Sequence, residues 1–211
     1  MLVLSETRRT TGIYETAADF ELQRDQYERD RWFGGRATGV AQFAQTQTIP
    51  DVNDSESIGL ILSFRADLVV SFGTGILRSG IISALTARLL NLHGGDPESY
   101  RGLDTHLWAI WHRDFGALTT CIHRVDAILD NGDIVATLPV PIEPLMPLAA
   151  LRSANTGICV ELVDLAVRQM EERGSVYARP QRKKGRYYGA MPSALKAQCQ
   201  GRFARYTSGL A

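Results

Sequence analysis

The sequence predicts an α/β fold, and two observations carry that reading. Leu68-Val69-Val70 lies in the run Asp67 to Phe72, an unbroken apolar core of the kind a strand buried on both faces requires, and it stops at Gly73-Thr74-Gly75. Ahead of it, Ile58, Ile61, Leu62 and Phe64 recur at helical spacing behind a further strand candidate, Val40 to Thr46. Strand, helix, strand is a βαβ unit, which implies parallel strands in the middle of the sheet. With 211 residues the chain suits one domain with a tail.

Taken in order, Met1 to Leu4 is a stub of strand that Thr10-Thr11-Gly12 interrupts. Glu15 to Trp32 mixes charged and apolar residues at helical spacing, offering Phe20, Leu22, Tyr27 and Trp32 to a core, and Gly34-Gly35 stops it because glycine readily takes left-handed backbone angles. Pro50 to Ser55 supplies a turn and a helix cap. A short helix over Ser79 to Leu85 leads into the apolar run Arg88 to His93. Asp104 or Thr105 then caps a helix carrying Leu107, Trp108, Ile110 and Trp111. Ala117 to His123 and Ile134 to Val140 read as strands, the last ones forming an antiparallel edge. After Pro139, Pro141, Pro144 and Pro147, the segment Leu148 to Arg173 is helical, with Leu151, Val160, Leu162, Val163, Leu165, Ala166 and Met170 as its buried residues; Gly157 weakens it by about 1 kcal/mol. The end, Tyr177 to Ala211, is basic and aromatic.

Composition narrows the function. Lys and Arg total 23, as do Asp and Glu, so no global field draws the chain to nucleic acid or acidic lipid, and a small or locally recognised substrate is expected. Cys121, Cys159 and Cys199 are far apart and read as reduced core thiols, with no metal-ligand spacing. No apolar leader opens the chain and no run approaches the roughly 18 apolar residues of a membrane span, so the expectation is a cytoplasmic protein without a membrane partner. Gly-x-Ser-x-Gly, P-loop and dinucleotide fingerprints are absent.

Chemistry concentrates between Asn91 and Asp133. Asn91 and His93 sit two apart at a predicted strand end, so both face one side, where a ligand atom can touch the amide and the imidazole together. An amide that donates to a developing oxyanion beside an acid–base histidine suits attack on a carbonyl, and Asp130, in Leu129-Asp130-Asn131-Gly132-Asp133, can orient His93 and favour its charged form. His106, His112 and His123 lie on predicted helix and strand without metal spacing.

In order and spacing, Asp67 to Gly73, Asn91-Leu92-His93, Tyr100-Arg101-Gly102, Asp126 and Leu129 to Asp133 resemble the folate-dependent formyltransferases, over roughly residues 38–142. That family includes glycinamide ribonucleotide, methionyl-tRNA and sugar N-formyltransferases. The resemblance implies a Rossmann-like formyltransferase sheet, mostly parallel, with helices on both faces and a C-terminal helical tail. Residues 1–142 would hold the α/β domain with an abbreviated N-terminal unit, and 143–211 the C-terminal helix and basic aromatic tail. It implies formyl transfer from 10-formyltetrahydrofolate to an amine by a trio of Asn91, His93 and Asp130, in which Asn91 and protonated His93 hold the oxyanion and Asp130 keeps His93 oriented and charged. The folate pterin is implied between the loop before Asp130 and the segment Phe72 to Leu77, giving Phe72, Gly73, Gly75, Leu77, Asp126 and Leu129 as cofactor-binding residues. Tyr100, Arg101 and Gly102 are implied to shape the substrate side, where Arg101 either meets a carboxylate or phosphate or braces its loop.

The chain departs from the family pattern in three places. Gly94-Gly95-Asp96-Pro97-Glu98-Ser99 replaces the usual Pro-Ser-Leu-Leu-Pro after the histidine, giving a more flexible and acidic loop. The N-terminal part lacks a glycine-rich phosphate-gripping turn. The stretch beyond Ile142 is too short for both a helix and the C-terminal barrel of methionyl-tRNA formyltransferases. The acceptor expected is therefore a small-molecule amine, foremost a nucleotide-linked amino sugar, with glycinamide ribonucleotide or another amine as the alternative and a non-catalytic folate-binding relative as the third reading. Arg182 to Arg186 with Tyr187 and Tyr188 reads as a solvated or dimer-contact surface, compatible with a homodimer, and not as a nucleic-acid site.

Overall fold

A computed structural model describes residues 1–7 and 18–211; the predicted break at Thr10-Thr11-Gly12 lies outside them. At its centre is a four-stranded sheet in the order β3 (Val69–Ser71), β4 (Leu89–His93), β6 (Thr119–Arg124) and β7 (Ile134–Pro139). Two strand pairs flank it: β1 (Leu2–Glu6) with β2 (Gln45–Ile49), and β5 (Tyr100–Gly102) with β8 (Arg186–Tyr188), both parallel. The helices are α1 (Ala18–Phe33), α2 (Ser55–Ser63), α3 (Ser79–Leu85), α4 (Thr105–His112), α5 (Leu151–Arg173) and α6 (Ser193–Ser208).

The central sheet is mixed, which corrects the mostly parallel sheet expected from sequence. Only β3 and β4 run parallel; β4–β6 and β6–β7 are antiparallel. The reason is the path of the chain. The connection from β4 to β6 stays at the C-terminal end of β4, so β6 enters the sheet beside His93 and runs back past Asn91, with Cys121 opposite His93 and His123 opposite Asn91.

Helices do cover both faces, and neighbouring residues of β4 show how. Successive side chains of a strand point to opposite faces. Leu89 packs with Ile61, Ile81 and Leu85 of α2 and α3, while Leu90 packs with Ile158, Leu162 and Ala166 of α5. A third core joins Tyr100, Leu107 and Ile110 to Phe20 of α1 and to Cys199 and Phe203 of α6. Among the described residues no helix is long and apolar enough to cross a membrane.

Several local expectations shift. The strand expected at Val40 to Thr46 falls at Gln45–Ile49, after a single 3-10 turn at Val40–Gln42. The cap expected within Pro50 to Ser55 is Asp54, whose carboxylate accepts the Glu56 N–H at 3.0 Å. Leu22, Trp32, Leu62, Phe64 and Val160 are exposed, not core. On α5 the inward face carries Leu151, Asn155, Ile158, Cys159, Leu162 and Ala166, and Val160, one residue beyond Cys159, is turned about 100° away from it.

Candidate active site

Strand register builds the first half of the site. Ser71 pairs with Asn91 across β3–β4 and His123 pairs with Asn91 across β4–β6, so the amide lies between a hydroxyl and an imidazole. Ser71 Oγ donates to Asn91 Oδ1 at 2.8 Å. His123 Nδ1 donates to its neighbour's carbonyl, Arg124 O, at 2.7 Å, which leaves Nε2 bare to accept from Asn91 Nδ2 at 3.3 Å. The two contacts fix which end of the Asn91 amide is nitrogen. Nδ2 keeps a second N–H, and Asn91 lines a cavity.

The second half comes from the loops beyond β4 and β6. His93, 6% exposed, donates from Nε2 to the Tyr100 carbonyl at 2.9 Å, so its free lone pair is on Nδ1, 3.7 Å from Asp130 Oδ1. The same carboxylate oxygen is 3.7 Å from His123 Nε2, and its partner Oδ2 accepts the Gly102 N–H at 2.8 Å. Asp130 has φ of 51°, in the left-handed region, and lies 7% exposed. Gly132 is obligatory in this turn, because a Cβ there would be driven into the Arg124 carbonyl.

Burial and the neighbouring charges act on the His93–Asp130 pair in opposite directions. Burial pulls the His93 imidazole below its ordinary value, and although the Asp130 carboxylate and the Tyr100 carbonyl push the other way, the neutral ring is favoured. Asp130 thus limits the cost of charging the ring. Burial pushes Asp130 up, but the His123 and His93 rings when protonated, together with the Gly102 N–H, outweigh it and hold the carboxyl below the ordinary carboxylate value.

The cavity around these groups is open and holds about 400 Å³. Asn91, His93 and Asp130 line it, as do Phe72, Gly73, Gly75, Leu77, Asp126 and Leu129, so the two segments expected to hold a pterin face one cavity. The Asp126 carboxylate is already engaged, accepting the Ile128 N–H at 2.8 Å and Asn131 Nδ2 at 3.0 Å; it shapes the loop. Of the residues expected on the substrate side only Gly102 lines the cavity, through backbone. Tyr100 and Arg101 do not. The Tyr100 hydroxyl donates to Asp114 at 3.1 Å, and Arg101, 4% exposed, donates from Nη2 to the Leu129 carbonyl, so it braces the loop that leads to Asp130. Phe20, Arg24, Leu148, Leu151, Arg152 and Asn155 also line the cavity. Among the described residues no grouping of His, Cys, Asp and Glu could hold a metal ion.

The loop after His93 is held more firmly than its glycines suggest. Asp96 caps it, accepting the Glu98 N–H at 2.9 Å and the Ser99 hydroxyl at 3.1 Å. Glu98 is consumed by Arg179, at 2.8 and 3.2 Å, and by the Arg182 N–H, which hold its carboxyl well below the usual range. Its acidity is thus structural. His123 is the site residue that sequence reasoning missed: it is 32 positions from Asn91, and only the antiparallel β4–β6 register brings it in.

Comparison with known proteins bears on this arrangement. The family model described as formyl transferase matches residues 34–154, more than half of the chain. Among solved structures, the formyltransferase PseJ from Anoxybacillus kamchatkensis, in complex with UDP-4,6-dideoxy-4-formamido-L-AltNAc and tetrahydrofolate, is similar at 20% identity and TM-score 0.59, over 89% of this chain and 85% of that one. A sugar N-formyltransferase from a Shewanella species matches at 15% identity and TM-score 0.60, over 96% and 87%. HypX from Aquifex aeolicus, in complex with tetrahydrofolic acid, matches at 16% identity and TM-score 0.54, over 96% of this chain and 34% of that one. At these identities the likeness is one of fold. No curated relative matches the chain significantly in sequence.

Proposed function

The chain belongs to the formyl transferase family, and on that premise we propose that it moves the formyl group of 10-formyltetrahydrofolate to a small-molecule amine, foremost an amino sugar carried on a nucleotide. The observation that carries the reading is the convergence of Asn91, His93 and Asp130 in the lining of a single cavity. Phe72 to Leu77 and Val125 to Leu129 line the same cavity with backbone and mostly apolar side chains, which suits a flat heteroaromatic ring. PseJ, of similar fold, carries a formamido sugar nucleotide together with tetrahydrofolate, which supports both the donor and the acceptor class.

The donor supplies an activated formyl carbon on N10. The chain's own groups then divide the work. The second N–H of Asn91 Nδ2 donates to the formyl oxygen as negative charge develops there; one such donor is worth about 3 kcal/mol. His93 Nδ1, carrying the free lone pair, takes the proton of the attacking amine, and the resulting imidazolium lies 3.7 Å from Asp130. His93 returns that proton to N10 as the bond to the formyl carbon breaks. One C–N bond forms, one breaks, and the proton passes from acceptor nitrogen to leaving nitrogen through one ring atom.

Purified protein incubated with 10-formyltetrahydrofolate and a panel of nucleotide-linked amino sugars, glycinamide ribonucleotide and simple amines is expected to release tetrahydrofolate with at least one sugar acceptor. Folate binding without turnover on any acceptor would contradict the reading.

A further inference from the structure

The family match ends at residue 154, yet the site is completed by residues well beyond it. The segment 179–188 crosses both loops that carry site residues. On the His93 side it grips residues 97–99: Arg179 and the Arg182 N–H hold Glu98, the Gly185 N–H donates to Pro97 O at 3.1 Å, and the Arg186 N–H donates to Ser99 O at 3.2 Å. The fit is close, since a Cβ on Gly185 would stand 2.5 Å from Pro97 O. From there β8 pairs with β5, whose Tyr100 carbonyl orients His93 and whose Gly102 N–H orients Asp130. On the Asp130 side, Gln181 Nε2 donates to the carbonyls of both Asp130 and Gly132, each at 3.0 Å.

Gln181 is a peculiar choice for a merely structural position. Its Oε1 is buried with no hydrogen-bond partner, and such an orphan costs stability. What the amide provides is its Nε2 donor, which reaches two carbonyls of the turn that holds Asp130 at φ 51°. A residue in the left-handed region persists only where its surroundings over-determine it. Gln181 ties the backbone of this turn from outside, while Arg101 on Leu129 O and the Gly102 N–H on the Asp130 carboxylate hold its other side.

We propose that Gln181 is a positioning residue that fixes Asp130 against His93, and that the segment Arg179 to Tyr188 is the clasp through which the C-terminal part of the chain sets the geometry of the catalytic pair. It rests on the formyl-transfer reading for its catalytic consequence, while the positioning itself is readable without turnover.

Two readouts test it on the full chain carrying Gln181→Ala. Steady-state formyl transfer should show kcat lowered about 10- to 100-fold with the KM of donor and acceptor within about threefold, since misplacement of a catalytic group by about 1 Å has that effect. NMR titration of His93, which Asp130, His123 and Asp96 face, should show its proton affinity falling as Asp130 moves off Nδ1. Should Gln181→Ala yield no folded protein, Gln181→Glu, of equal size, is measured in the same way, because a carboxylate cannot donate to two carbonyls. A folded variant with unchanged kcat and unchanged His93 titration overturns the proposal, as does an equal fall in melting temperature and activity with the titration unmoved. If the unmutated protein transfers no formyl group while the His93 titration still shifts in the variant, the positioning stands and the formyl-transfer reading falls.

Discussion

Replacing Asp130 with asparagine removes one charge from a site that is 7% exposed while leaving size and shape unchanged. The asparagine carbonyl oxygen can still accept the Gly102 N–H, so the loop is expected to keep its place. What disappears is the carboxylate 3.7 Å from His93 Nδ1. A unit-charge pair at that separation is worth about 4 kcal/mol at an effective dielectric of about 20. Relief of the buried carboxylate's desolvation offsets part of this, leaving about 3 to 4 kcal/mol and a fall in kcat of about 100- to 1,000-fold. The KM values should change little, because the carboxylate acts on His93 chiefly when the ring is charged. The sign of the pH effect comes from the same contact. Asp130 raises the proton affinity of His93 against the lowering by burial, so its loss moves the ring further below its ordinary value. The acidic limb of log kcat/KM should therefore shift to lower pH as the plateau drops. Tetrahydrofolate release measured from about pH 5 to 9 checks both. An undiminished plateau, or a limb that moves to higher pH, would refute the role given to Asp130.

Other perturbations probe separate parts of the account. His106 is half-buried with its ring against Thr119 O, and desolvation pulls it down to about 4, so the unfolded chain binds a proton between about pH 6.5 and 4 that the folded chain does not. Stability should fall on acidification through that window by about 3 kcal/mol, and urea unfolding of His106→Gln should show a smaller pH dependence. Gly132→Ala, whose Cβ would meet the Arg124 carbonyl, should cost about 3 kcal/mol or more by denaturant midpoint and abolish turnover. Arg101→Met removes the donor to Leu129 O, and the KM for the folate donor should rise about tenfold with a smaller change in kcat. Phe203 of α6 is fully buried, and Phe203→Ala should lower stability by about 3 to 5 kcal/mol in calorimetry.

The pattern of what was legible in the sequence has a physical basis. Asn91 and His93 could be placed on one face because strand side chains alternate over two residues, and α3 appears over the predicted Ser79 to Leu85 because its signals are local. Asp130 could be proposed as their partner from its residue type and the family resemblance, but not placed, since two strands and a helix lie between it and His93 in the chain. His123 was passed over because no local rule reveals which strand lies beside β4 or in which direction it runs. The same is true of β8, whose pairing with β5 joins residues 86 positions apart in Tyr100 and Arg186. Helix α6 was hidden by composition: its 16 residues include Lys196, Gln198, Gln200, Arg202 and Arg205, and its buried set of Cys199, Phe203 and Thr207 is sparse. Lys196 is nevertheless 3% exposed, held between Glu21 and Asp104 at 3.6 Å each, an arrangement that only three separate elements together can supply.

The central claim is that Asn91, His93 and Asp130 act together on a formyl group. Single-turnover transfer from 10-formyltetrahydrofolate to a nucleotide-linked amino sugar, compared between the unmutated protein and His93→Ala, tests it most directly. The account predicts release of tetrahydrofolate with a formylated acceptor from the unmutated protein, and loss of that chemistry in His93→Ala while folate binding by calorimetry persists. Equal transfer by both proteins would contradict it.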